Sequence, residues 1–149
     1  MNDENSQDAK QEMLKAFTRS HIRYLWDNRE NAGTFGNEDT QLIKTMKQHP
    51  EYQHIWEHAD ELTDAEIEKD GTNPILHVQF HATVENQIRL KDPKEVAQVV
   101  KLLVEKKYTR HEAIHAVANI LAEEVFGIMT EKRPFNREKY LKQLRKLVR

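Results

Sequence analysis

The chain has 149 residues, with 23 Lys and Arg against 25 Asp and Glu, 38% apolar residues and no cysteine. It is long enough for one domain with a buried core and too apolar to remain disordered. Without cysteine there can be no disulfide, no thiolate metal site and no cysteine nucleophile. The opening MNDENSQDAK is polar and acidic, unlike a signal or transit segment. No apolar run approaches the ~20 residues of a membrane span, so a bacterial-type cytoplasmic protein that avoids membranes is expected.

Residues 1–8 read as a disordered polar tail and 9–149 as a single helical domain. A first helix then runs to about Asn28, with Met13, Leu14, Phe17, His21, Tyr24 and Leu25 at helical spacing. Residues 31–36 break it. Asn37 is placed as the N-cap of a second helix, which His49-Pro50 ends. A short helix from Pro50 to about Ala59 follows, and Thr63 with Glu66 has capping-box spacing. After a turn at Asp70-Gly71-Thr72, Asn73 and Pro74 read as cap and first position of a helix to about Leu90. Asp92, Pro93 and Glu95 predict cap, first-turn proline and capping-box acid for a helix to about Lys107. Thr109 and Glu112 start the longest apolar helix, which passes Met129 and is stopped by Pro134. Asn136 caps the last helix. Phe135 and Tyr140 are spaced as a hydrophobic staple, and Tyr140, Leu141, Leu144, Leu147 and Val148 form its buried stripe. With no lasting period-two alternation, the fold class is all-α, a helical bundle of about six helices with short loops.

The net charge of −2 is unevenly spread: residues 131–149 hold eight Lys or Arg and two Glu. A basic terminal helix can meet phosphate or an acidic partner. Lys and Arg also simply suit a helix C-terminus. No aromatic or Gly-rich motif accompanies the charge, so nucleic acid is not expected and an acidic partner is the alternative.

Eight histidines in this length give about 0.4 His-x-x-x-His pairs by chance. The chain has three: His54/His58, His77/His81 and His111/His115. Spacing i,i+4 puts both imidazoles on one helix face, close enough to share a cation. At ~100° per residue, Val84 and Ile88 fall within about 20° of His77, with His81 near 40° and Glu85 near 80°. The same construction from His111 places His115 near ~40°, with Ala118, Ala122, Val125 and Met129 beside the pair. Both pairs are therefore expected to face the core. Buried imidazoles need hydrogen-bond partners or a metal. Neutral imidazoles with a carboxylate suit Zn, Fe, Mn or Ni, with Zn or Fe foremost.

The sequence thus points to one transition metal, or two, held by His77, His81, His111 and His115. Glu85 would be a fifth ligand or an acceptor behind them. His54/His58 and His21 are weaker candidates. The competing reading is core histidines satisfied by backbone carbonyls and by each other. His111-Glu112-Ala113-Ile114-His115 also matches the zincin pattern, in which Glu activates a metal-bound water, although Glu112 already has a capping role. Glu51-x-x-His54 and Glu112-x-x-His115 fit the repeated unit of di-iron bundles, which also need a carboxylate from each of two further helices; Glu85 could be one, but the first helix offers no inward acid. A metal-free interaction protein using the basic C-terminal helix is the alternative of a different class. No reaction is named by these residues.

His49-Pro50-Glu51-Tyr52, the stretch Asn73-Pro-Ile-Leu-His77-Val-Gln-Phe-His81 with Glu85-Asn86-Gln87, and the later His-x-x-x-His helix resemble an uncharacterised bacterial family, domain of unknown function 1841. The resemblance covers roughly residues 40–129. It implies a small cytoplasmic helical protein and carries no activity or cofactor with it.

Overall fold

The computed structural model describes residue 15 and residues 17–68 and 71–149, and among these the chain is all-α. The elements are α1 (17–27), a 3-10 segment Arg29–Thr34, α2 (Asn37–Lys47), a 3-10 turn Pro50–Tyr52 leading into α3 (Gln53–Glu57), α4 (Asp64–Ile67), α5 (Pro74–Leu90), α6 (Lys94–Glu105), α7 (Arg110–Glu131) and α8 (Arg137–Leu147). The count exceeds the expected six because α3 and α4 are separate single turns. No strand occurs among the described residues. The tail, Met13, Leu14 and Asp70 lie outside them. The chain gathers into two compact units, residues up to Val78 and residues from Gln79, and α5 passes from one into the other.

In the first unit, α1 buries Ile22, Leu25 and Trp26, an i,i+3,i+4 stripe. The expected stripe through Phe17 and Tyr24 is not buried, since these residues are 70% and 55% exposed. They make lateral aromatic contacts instead, Phe17 stacking on His21 and Tyr24 meeting Phe35 edge-on. Asn37 is the first residue of α2 and not its cap. Extended Gly36 holds the cap position without a side-chain bond, and Glu38 and Asp39 complement the helix dipole there. Leu42, Ile43, Thr45 and Met46 are its buried face. Ile55 and Trp56 of α3 are buried, and Trp56 Nε1 donates to the Met46 carbonyl at 3.3 Å. The Thr63–Glu66 capping box forms as expected. So does the start of α5, where Asn73 Oδ1 accepts from Ile75 N at 3.0 Å and Leu76 N at 3.3 Å.

In the second unit, α6, α7 and α8 pack around a shared core. Val96, Val100 and Leu103 of α6, spaced i,i+4,i+7, meet Ile114, Val117 and Leu121 of α7 and Tyr140 and Leu144 of α8. Each large apolar side chain so buried contributes roughly 1.5–3 kcal/mol. The capping box expected at Asp92 and Glu95 does not form. Pro93 itself takes the cap position with no side-chain bond, and Asp92 pairs with Arg137 at 3.1 Å. The box at Thr109 and Glu112 does form, with Glu112 N donating to Thr109 Oγ1 at 3.1 Å and Thr109 N to Glu112 Oε1 at 3.2 Å.

The helix α7 ends at Glu131, where Lys132 turns left-handed and Arg133 folds back onto buried Glu124 at 2.7 and 2.9 Å. Gly127, lacking a Cβ, leaves the space in which that guanidinium lies. Asn136 Oδ1 then accepts from Lys139 N at 3.0 Å, and the Phe135–Tyr140 staple closes with ring centroids 5.6 Å apart. The sequence reading passed over one property of α7. Its 22 residues, with a mean hydropathy of 1.3 over the best window, are long and apolar enough to cross a membrane by length and composition. A third of that window is buried inside the protein.

Candidate metal centre

Helical spacing puts His77 and His81 one turn apart on α5, and His111 and His115 one turn apart at the start of α7. Within the second unit, packing joins three of these. His81 is 2% exposed, and its Nε2 lies 3.1 Å from Nδ1 of half-buried His115. The His111 ring stands 5.2 Å from that of His81, centre to centre, tilted by 51°. His81 is therefore the hub, with one α7 imidazole in hydrogen-bond contact and the other beside it. Two nitrogens bound to one ion at about 2.0–2.1 Å stand roughly 3.0 Å apart at right angles and 3.3 Å apart at a tetrahedral angle. The observed separation falls between these values, so the pair has the spacing of two ligands of one ion as well as that of a hydrogen bond.

Both pairs were expected to face the core, and His111 does not. It is exposed, because the first turn of a helix has no preceding turn to cover it. His77, in the first unit, is half-buried.

The Glu85 carboxylate is held on both oxygens by the Arg110 guanidinium, one contact measuring 2.8 Å. Glu85 in turn raises the Arg110 pKa. This bidentate pair ties the later part of α5 to the residue preceding His111, and so holds His81 against the α7 histidines. Glu112 is exposed, and its carboxyl lies below the usual range because the Thr109 backbone N–H donates to it. Its carboxylate is engaged in capping the helix.

The other histidines have local partners. His54 and His58 face each other with ring centroids 5.3 Å apart, His54 is exposed, and His58 Nδ1 lies 3.1 Å from Glu61. His21 Nε2 meets Asp39 at 3.0 Å. Glu51 and His54 are both exposed, which removes the inward direction that a di-iron unit needs.

Sequence reasoning missed His49. It is 3% exposed, its Nδ1 lies 2.9 Å from the Thr45 carbonyl oxygen, and its ring meets that of His77 edge-on at 5.1 Å. The signal was present: Leu42, Met46 and His49 follow i,i+4,i+7, continuing the buried stripe of α2 past its last turn. A search for histidine pairs within single helices could not see it.

A family model described as Domain of unknown function (DUF1841) matches residues 10–146. Comparison with curated proteins and with solved structures found no match.

Proposed function

The chain belongs to the DUF1841 family, which brings no activity with it, and we propose from its own side chains that it binds a divalent transition metal through His77, His81, His111 and His115. The observation that carries this reading is the 3.1 Å approach of His81 Nε2 to His115 Nδ1 around a buried imidazole. The placement of His77 one turn before His81 on the same helix supports it. An all-nitrogen donor set without thiolate suits Zn or Fe, with Mn and Ni also accommodated. Glu85, already paired with Arg110, is read as an acceptor that orients the site from behind. A cytoplasmic location belongs to the same proposal. The zincin reading gains no support, because the Glu112 carboxylate is occupied by the Thr109 backbone N–H.

Elemental analysis of protein purified without a His tag or added metal tests this reading. Bound Zn or Fe at about one ion per chain is expected. Single and double variants of His81 and His115 then test co-location. Each alanine should weaken binding strongly, and the double variant should add little, the non-additivity of groups that share one site. Protein that carries no metal and takes up none of the four ions would overturn the reading. The exposed Lys139, Lys142, Arg145 and Lys146 of α8 would then become the surface to test with an acidic partner.

A further inference from the structure

We propose that the cleft between α7 and α8 binds a small zwitterion, the chemical class of a free α-amino acid. This cleft lies wholly within the second unit, and the proposal is independent of the metal reading. Its volume is about 150 Å³, and Ile120, Glu123, Glu124, Lys139, Tyr140 and Gln143 line it. Helical spacing sets that lining: Ile120 and Glu124 stand one turn apart on α7, with Glu123 between them, and Lys139 and Gln143 stand one turn apart on α8. The Tyr140 hydroxyl donates to Gln87 at 2.9 Å, so the ring, with Ile120, supplies the apolar wall.

The charges decide the class of ligand. Glu124 is 5% exposed and already compensated by two bonds from Arg133. Exposed Glu123 and Lys139 form no ion pair among the described residues, and the half-buried Gln143 amide makes no hydrogen bond there. The Lys139 charge helps to hold the Glu124 carboxyl below its usual range, which puts the ammonium on the cleft side of α8. A simple anion would meet one lysine and two carboxylates, and a simple cation would meet the lysine. A ligand with both charges satisfies Glu123 through its ammonium and Lys139 through its carboxylate. Gln143 can donate to it or accept from it. A cavity of about 150 Å³ takes a molecule the size of benzene, about six non-hydrogen atoms, and L-alanine is of that size.

L-Alanine is the probe, titrated at neutral pH into full-length protein labelled with nitrogen-15 and followed by amide shifts. Saturable shifts around Glu123, Lys139 and Gln143 are expected in the millimolar range. Glu123→Gln and Lys139→Gln should each weaken binding roughly tenfold, the loss of one charged hydrogen bond. Lys101→Gln, on the exposed face of α6, should leave it unchanged. Acetate and ethylammonium each carry one of the two charges, and each should bind at least tenfold more weakly than L-alanine. This comparison needs only the wild type, so it holds even where a variant fails to fold. Absence of saturable shifts overturns the proposal. Acetate binding as tightly as L-alanine, and lost only in Lys139→Gln, would reduce the cleft to a simple anion site and overturn it equally. So would two folded variants that bind L-alanine like the wild type.

Discussion

Replacing His81 with leucine separates the ligand role of this side chain from its packing role. His81 is 2% exposed and makes a 3.1 Å contact with His115. In excess chelator, His81→Leu loses the hydrogen bond with His115, worth about 1 kcal/mol. It gains an apolar side chain in a closed site, worth about 1.5–2 kcal/mol. The metal-free variant should therefore lie within about 1 kcal/mol of the wild type. With metal at a hundred times its dissociation constant, the wild type gains about 2.7 kcal/mol. At roughly 3–4 °C per kcal/mol for a chain of this size, its melting temperature should rise by about 8–11 °C. The variant should show little or none of that rise. Paired calorimetric melts, with chelator and with Zn(II) or Fe(II), read both quantities at once. A variant that keeps the full metal-dependent rise would refute the reasoning, and so would a wild type whose melt no ion moves.

The capping box at the start of α7 predicts that Thr109→Ala costs about 1 kcal/mol, read as a lower urea midpoint. Glu112→Gln should stay near wild type in both stability and metal content, and loss of metal in that variant would make Glu112 a ligand. The buried Glu124 carboxyl is held below its usual range by the Arg133 guanidinium, against burial, with help from the Asn136 N–H. A depressed folded-state pKa gives stability that is present above the unfolded value and lost as pH falls through the folded one. Acid unfolding of the wild type should therefore steepen below about pH 4.3, and Glu124→Gln should flatten that limb; equal slopes would remove the pair from the account. Tyr140 is buried and donates to Gln87 Oε1 at 2.9 Å, so Tyr140→Phe should cost about 1 kcal/mol. An unchanged urea midpoint would show that water replaces the bond.

Local chemistry was the most legible part of this chain. Thr63 with Glu66, Asn73 with Pro74, Thr109 with Glu112, and Asn136 with its staple each lie within a few residues, and each formed as read. Several of the failures are cases in which another residue competed. Asp92 had the right spacing to cap α6, but Arg137 takes its carboxylate. Phe17 and Tyr24 had the right period for burial, but neighbouring rings hold them at the surface. The same limit shaped the reading of the histidines. Spacing along α5 and α7 foretold which rings share a face. The approach of His81 to His115, the Arg110 clasp on Glu85 and the turn of His49 onto His77 all come from tertiary packing, which no spacing within one helix encodes.

The reciprocal bonds between Thr109 and Glu112 bear on how an ion would exchange. They freeze the first turn of α7, the same turn that carries His111 and sets the direction of His115. Fixing one residue's backbone costs about 1–2 kcal/mol of conformational entropy, and here the cap meets that cost whether or not an ion is present. The α7 imidazoles are thus preorganised, so that loading and unloading of an ion there would need side-chain rotation and no helix formation. Far-ultraviolet circular dichroism should stay the same through a full cycle of chelation and reloading, unlike that of a small zinc domain that unfolds without its metal.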